Sequence, residues 1–225
     1  MQKIYYITAI MLHNLRYSLF LATLFALATI SSFSQEQEQK QENKIRYGGR
    51  VANASSLLIN SPGYDYFSLE GYGFGWALGA VASIPIANTI TFNPEINLIY
   101  RGLYMMDEAT MSEFAISLPA LFQYMPFGGP LFYLEAGTQL DIPFARDIDN
   151  GYSRYYNGYS QYYQDYEFRD IFLGIPLGLG WHIGQHFVID YRIVIDLLAY
   201  GHNYADDMYA RLGLIQEELS LLYLF

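Results

Sequence analysis

Cysteine is missing from all 225 residues. Without a thiol there is no disulfide framework, no cysteine nucleophile, no thiolate-held metal and no acylated lipoprotein cysteine. Positive charge is scarce as well: 12 Lys and Arg stand against 22 Asp and Glu, a formal net charge of −10. Nucleic-acid binding needs clusters of Lys and Arg to neutralise phosphates, and none occurs, so nucleic acid is excluded as a partner. Beyond residue 34 no apolar run is long enough for a membrane-spanning helix. What replaces charge is aromatic: charged residues make up 15% and aromatics 18%, with 23 Tyr and 15 Phe.

The N-terminus carries two bases, Lys3 and Arg16, and then an apolar run from Ser18 to Ile30, SLFLATLFALATI. Small Ser32 and Ser34 follow in SSFSQ, and no acid precedes Glu36. This pattern predicts a secretory signal peptide over residues 1–34, cleaved near Ser34 and Gln35, the alternative being a retained anchor. Residues 35–43, QEQEQKQEN, have no apolar period and predict a flexible polar leader. Removal of residues 1–34 would change the formal charge from −10 to −12, since it takes two bases and no acid.

From residue 44 onward the chain alternates with period two in segments of about ten residues, the signature of strands. In FNPEINLIYR one face carries Phe92, Ile96, Leu98 and Tyr100, and the other Asn93, Glu95, Asn97 and Arg101. A helix would scatter those polar groups; a strand gathers them on one side. EFAISLPALFQY, LFYLEAGTQLDIP and HFVIDYRIVIDL repeat the pattern. Two further segments alternate large with small, Phe74, Trp76 and Leu78 against Gly73, Gly75 and Ala77, and Leu173, Leu177 and Leu179 against Gly174, Gly178 and Gly180. Small inward residues suit a narrow barrel. Pro119 and Pro176 interrupt two strands, and bulges are expected there because proline has no N–H.

A weaker first strand (44–52) and a last one (about 215–225) bring the count to eight. Connections alternate: short turns near 87–89, 125–130 and 183–185, and longer links at 53–71, 102–112, 143–168 and 198–214. Short turns on one rim and long loops on the other predict an all-β, eight-stranded antiparallel up-and-down transmembrane β-barrel over residues 44–225. Closure is required because lipid cannot satisfy the polar groups of a free sheet edge. Phe74, Tyr100, Phe122, Tyr124, Trp181, Phe187, Tyr223 and Phe225 are expected to form interfacial girdles.

The stretches ending FSQ, ASIPIANTITFNPEINLIYRG, LEAGTQLDIP and the terminal LLYLF resemble the small outer-membrane β-barrel domain family, porin-like proteins of Bacteroidetes-type Gram-negative bacteria. The resemblance spans roughly residues 43–225 and implies the fold and the cell outer membrane. It implies no catalytic residue, and "porin-like" does not establish conduction.

No catalytic, cofactor or metal site is expected. Arg46, Arg50, Glu95, Arg101, Glu135, Asp141, Asp190, Arg192, Asp196 and Glu218 should face the lumen and pair there, with Arg50–Glu218 and Arg101–Glu95 as candidates. His182 and His186 flank one short turn without carboxylates beside them. His202 lies near Asp206 and Asp207 but has no serine nearby to activate. Asp147, Asp149 and Asn150 sit in DIDNG, a fragment of a calcium loop that lacks its terminal Glu. The 143–168 link holds tyrosines at 152, 155, 156, 159, 162, 163 and 166, with GYSRYY and GYSQYY as a short repeat. It predicts an extracellular surface for a glycan, peptide or protein, or a hairpin extension whose aromatics pack on each other. The functional expectation is a non-enzymatic barrel in contact with outer-membrane lipid, with a structural or loop-recognition role. The alternatives are a narrow porin-like transporter and an outer-leaflet lipid-modifying enzyme.

Overall fold

Alternation of side chains decides which face of each strand is wet, and it is nearly unbroken along β3 (Ile90–Met105) and β4 (Thr110–Tyr124). The computed structural model describes residues 44–62, 68–105, 110–127, 131–149, 165–198, 201–205 and 208–225. The expected signal peptide (1–34) and leader (35–43), and most of the tyrosine-rich segment, lie outside the described residues. The remaining long strands are β1 (Arg46–Pro62), β2 (Ser68–Ala87), β5 (Phe132–Asp149), β7 (Phe172–Ile183), β8 (Phe187–Asp196) and β10 (Met208–Leu224). Neighbours pair antiparallel in the order β1-β2-β3-β4-β5-β7-β8-β10, and β10 pairs back onto β1 from Gly48↔Leu224 to Pro62↔Ala210. The barrel is therefore closed, eight-stranded and all-antiparallel. Two short strands, β6 (Asp165–Phe168) and β9 (Gly201–Ala205), pair with each other, and β9 pairs with the outer half of β10.

Both ends of the barrel domain lie at the short-turn rim. The Arg46 guanidinium donates to the Gln185 carbonyl in the β7–β8 turn and, at 3.4 Å, to the Leu224 carbonyl. The turn itself needs Gly184, whose φ of 67° is strained for any residue with a Cβ. At the opposite rim the expected links are largely strand: β1 runs to Pro62, β3 to Met105 and β10 starts at Met208.

The bulges expected at Pro119 and Pro176 are not there. Between Pro94↔Ala120 and Asn97↔Ser117 the β3–β4 ladder skips two pairs, and its register is the same on both sides. Pro176 produces the same gap between Ala136↔Leu177 and Gln139↔Gly174, while it stays paired with Val194 on β8. Each proline forfeits bonding to one neighbour only, so the strand need not shift. Register shifts instead admit an extra residue at Glu70, Ile86 and Phe144.

The outer wall is apolar, with two aromatic bands. Tyr72 stacks on Tyr104 and Trp76 on Tyr100 toward the long-loop rim, while Phe92 meets Phe122 and Phe132 meets Trp181 toward the other. Phe114 and Tyr124, one in each band on β4, are ten positions apart, matching the roughly 9–11 residues a tilted strand needs to cross hydrocarbon. Among the described residues no helix is long and apolar enough to cross a membrane; these strands cross instead.

Candidate functional site

Polar side chains gather inside the barrel because its outer face has no water to offer them. Four arginines, Arg50, Arg101, Arg146 and Arg192, meet six carboxylates, Glu95, Glu113, Glu135, Asp141, Asp190 and Glu218. Charges so buried are tolerated only when paired and hydrogen-bonded. Arg192 is the hub of the half nearer the short turns. It donates to Glu135 at 2.7 Å and Glu95 at 3.0 Å, and lies 3.5 Å from Asp190 and 3.9 Å from Glu218. Remaining lone pairs are taken by neutral donors: Asn97 to Glu95 at 3.0 Å, Gln123 to Glu135 at 3.1 Å, and the Tyr133 hydroxyl to Asp190 at 3.0 Å.

Arg101 organises the outer half. It pairs with Asp141, donates to Glu113 at 2.9 Å and to the Gln216 amide oxygen at 2.7 Å. Gln216 in turn donates to Glu218, the partner of Arg50, so one neutral amide joins the two halves. Arg146 shares Glu113 and also donates to the backbone carbonyls of Phe168, at 3.3 Å, and Arg169, at 2.9 Å. That contact falls where a seam opens in the wall: the β5–β7 ladder stops at Asp141↔Phe172 while β5 continues to Asp149. The guanidinium there takes carbonyls that the ladder leaves behind.

Apolar layers close both ends. Leu58, Leu103, Met105, Met111, Phe168, Phe172, Val194, Leu212 and Leu214 fill the outer end, with Phe172 against the Arg101 guanidinium and Phe168 against that of Arg146. Val81, Met125, Tyr133, Val188, Leu222 and Leu224 fill the other. A cavity beside this second layer, lined by Ser83, Asn93, Gln123, Tyr133 and His182 among others, measures about 10 Å³, room for one water at most.

Eight of the ten charges expected in the lumen are buried there; Arg46 sits at the short-turn rim, and Asp196, half-buried at the outer one, accepts from the Leu198 N–H at 2.9 Å. Arg50–Glu218 forms as expected. Arg101–Glu95 does not: both lie on β3, and six positions of extended strand separate them by about 20 Å. Each finds partners on other strands. Glu113 lay on the polar face read from EFAISLPALFQY, but its place at the start of that segment hid its part in the network. Arg146 was invisible for a different reason. The extra residue Phe144 inverts the alternation along β5, so Arg146 and Ile148 turn inward where a regular strand would send them out.

His182 and His186 point apart: His182 is edge-on to Tyr133, while His186 stacks on outward-facing Tyr223. Asp147 and Asp149 face outward on β5, and Asn150 lies outside the described residues, as do the side chain of His202 and the 152–166 tyrosine side chains. Among the described residues no group of three or more His, Asp or Glu could hold a metal ion. The 165–168 segment pairs with β9, so in its described part the tyrosine-rich link is not a hairpin with β5.

Closed wall, apolar exterior, two aromatic bands and an ion-paired interior define a transmembrane barrel of the outer membrane. The sequence model of the family described as outer membrane protein beta-barrel domain matches residues 33–197, and the chain belongs to that family. Solved outer-membrane barrels are similar to the chain at low identity. Neisserial surface protein A is 12% identical with a TM-score of 0.49, the match covering 79% of this chain and 97% of that one. OprG from Pseudomonas aeruginosa is 11% identical with a TM-score of 0.40, over 80% and 97%. Ail, the attachment invasion locus protein of Yersinia pestis, is 11% identical with a TM-score of 0.36, over 79% and 98%. No curated protein matches the sequence.

Proposed function

We propose that this outer-membrane barrel is a non-conducting, non-enzymatic scaffold whose business is done by its outer rim. The observation that carries the reading is the filled lumen: paired charges occupy its middle and apolar layers cover both ends. An eight-stranded barrel has interior room for side chains rather than an aqueous channel. A scaffold so rigidly plugged suits the display of loops, and the 143–168 link, rich in Tyr, Gly, Ser and Asn, has the composition of an adaptable contact surface for a glycan, peptide or protein. Purified protein in planar bilayers should give no reproducible single-channel steps; stable steps would replace this reading with transport. An epitope placed near Asn157 should be detected on intact cells, and serine in place of the loop tyrosines should reduce cell-surface or ligand binding. Unchanged binding would remove the recognition role.

A further inference from the structure

Polar side chains interrupt the apolar outer wall mainly in one place. Between the aromatic bands the outward faces of β2, β3, β4 and β7 carry none, and β5 carries Thr138 alone. On β1 and β10, by contrast, Asn53, Ser55 and Glu217 face out together. These strands are direct partners, with Ser55↔Glu217 and Asn53↔Leu219 opposite each other. Tyr191 on β8 lies diagonal to Glu217, within reach of its charge. The nearest outward neighbours of Glu217 are otherwise apolar: Ile215 and Leu219 on its own strand, and Ile193 across from it. Among the described residues Asn53, Ser55 and Glu217 have no hydrogen-bond or ion-pair partner.

Depth gives this cluster its meaning. Tyr223 belongs to the short-turn band, against Phe187, and Glu217 lies six positions above it on β10. At about 3.3 Å per residue and a tilt of about 40°, that is a height of about 15 Å, near the middle of an apolar band about 25 Å tall. A carboxyl group facing hydrocarbon there is costly, and the glutamate side chain is too short to reach either interface, so its partner has to lie in the membrane plane. We propose that the β1–β10 wall is the contact face of a homodimer within the membrane, Glu217 of each copy accepting hydrogen bonds from Asn53 and Ser55 of the other. Insertion fixes the orientation of both copies, so their two-fold axis runs along the membrane normal. Placed between β1 and β10, that axis sets the acceptor of one copy against the donors of the second at matching depth. The face is its own complement, which a lipid tail is not. A Cβ at Gly49 or Gly213, outward on the same two strands, would meet nothing closer than 3.9 Å; such low points let a second wall approach closely.

Because the chain has no cysteine, Asn88→Cys in the exposed β2–β3 turn gives full-length protein a single labelling site. Donor- and acceptor-labelled populations are reconstituted together in phosphatidylcholine vesicles, and energy transfer is followed as the protein-to-lipid ratio falls. Transfer should exceed the random-proximity level and dilute out as a monomer–dimer equilibrium. Glu217→Leu, and separately Asn53→Val with Ser55→Val, should each weaken association by about tenfold or more. Glu217→Gln keeps an acceptor and should weaken it less than Glu217→Leu does. Thr138→Val, on the opposite side of the barrel, should leave it unchanged. Heat-modifiable gel migration reports that each variant is folded, and the leucine and valine changes only make the lipid face more apolar. Random-level transfer at every ratio, association that survives both sets of changes, or an equal loss with Thr138→Val would each overturn the assignment. None of these outcomes bears on conduction or on loop recognition.

Discussion

Arg192 and Glu95 stand 97 positions apart in sequence and meet inside the barrel at 3.0 Å, one on β8 and the other on β3. These strands are not neighbours in the sheet, so the pair ties opposite parts of the wall together through the lumen. It also leaves each residue dependent on partners that only closure provides.

Arg192→Met should be among the most damaging single changes in the chain. It would strip the counter-charge from Glu135, leave Glu95 with Arg50 alone at 3.7 Å, and weaken the field on Asp190 and Glu218. Breaking a buried pair by removing one side costs about 3–5 kcal/mol. Urea unfolding in detergent or lipid measures it, and a loss under about 1 kcal/mol, the range of exposed pairs, would mean that the network is hydrated.

Double-substitution cycles separate the two pairs named from sequence. Arg50→Ala with Glu218→Ala should show coupling of about 0.5–3 kcal/mol, since the side chains are in contact. Arg101→Ala with Glu95→Ala should couple more weakly, because those residues share no direct bond. The reverse order would contradict the observed pairing.

Gly180→Ala tests the tightness of the short-turn end. A Cβ there would sit about 2.2 Å from the Tyr133 ring, which is buried and bonded to Asp190 through its hydroxyl. Overpacking of this kind costs about 1–3 kcal/mol. Adding Tyr133→Leu should recover part of the loss in the same unfolding assay; a purely additive double variant would place the strain elsewhere.

Phe172→Ala opens the outer apolar layer and removes the ring that lies against the Arg101 guanidinium, but it leaves the ion pairs beneath in place. Loss of so buried an aromatic should cost about 3–5 kcal/mol, yet bilayer recordings should remain silent, because Arg101, Glu113 and Asp141 still block the path. Discrete conductance in this variant would show that the apolar layer, rather than the ion pairs, is the seal.

Ile96→Arg probes the lipid side. Ile96 is exposed midway between Phe92 and Tyr100 on β3, and an arginine near the bilayer midplane costs about 2–4 kcal/mol. Folding into vesicles, followed by the gel-mobility shift, should fall accordingly. Unchanged yield would mean that this face does not meet hydrocarbon.

Much of this was legible in the residues themselves. Strict alternation in FNPEINLIYR and HFVIDYRIVIDL fixes which side chains share a face, because side chains in an extended chain point alternately to its two faces. Eight of the ten residues in the expected inward set are accordingly buried, and closure follows from lipid's inability to solvate an edge. Local pattern could not decide which inward charges meet. Register and strand tilt set that: Arg50 opposes Leu222 in the ladder and still reaches Glu218 four positions away. Nor could alternation survive the extra residue at Phe144, which turned Arg146 inward to hold the seam and left Asp147 and Asp149 on the outer face. One inserted residue changes every side chain after it from one face to the other, and only the paired strand reveals that it was inserted.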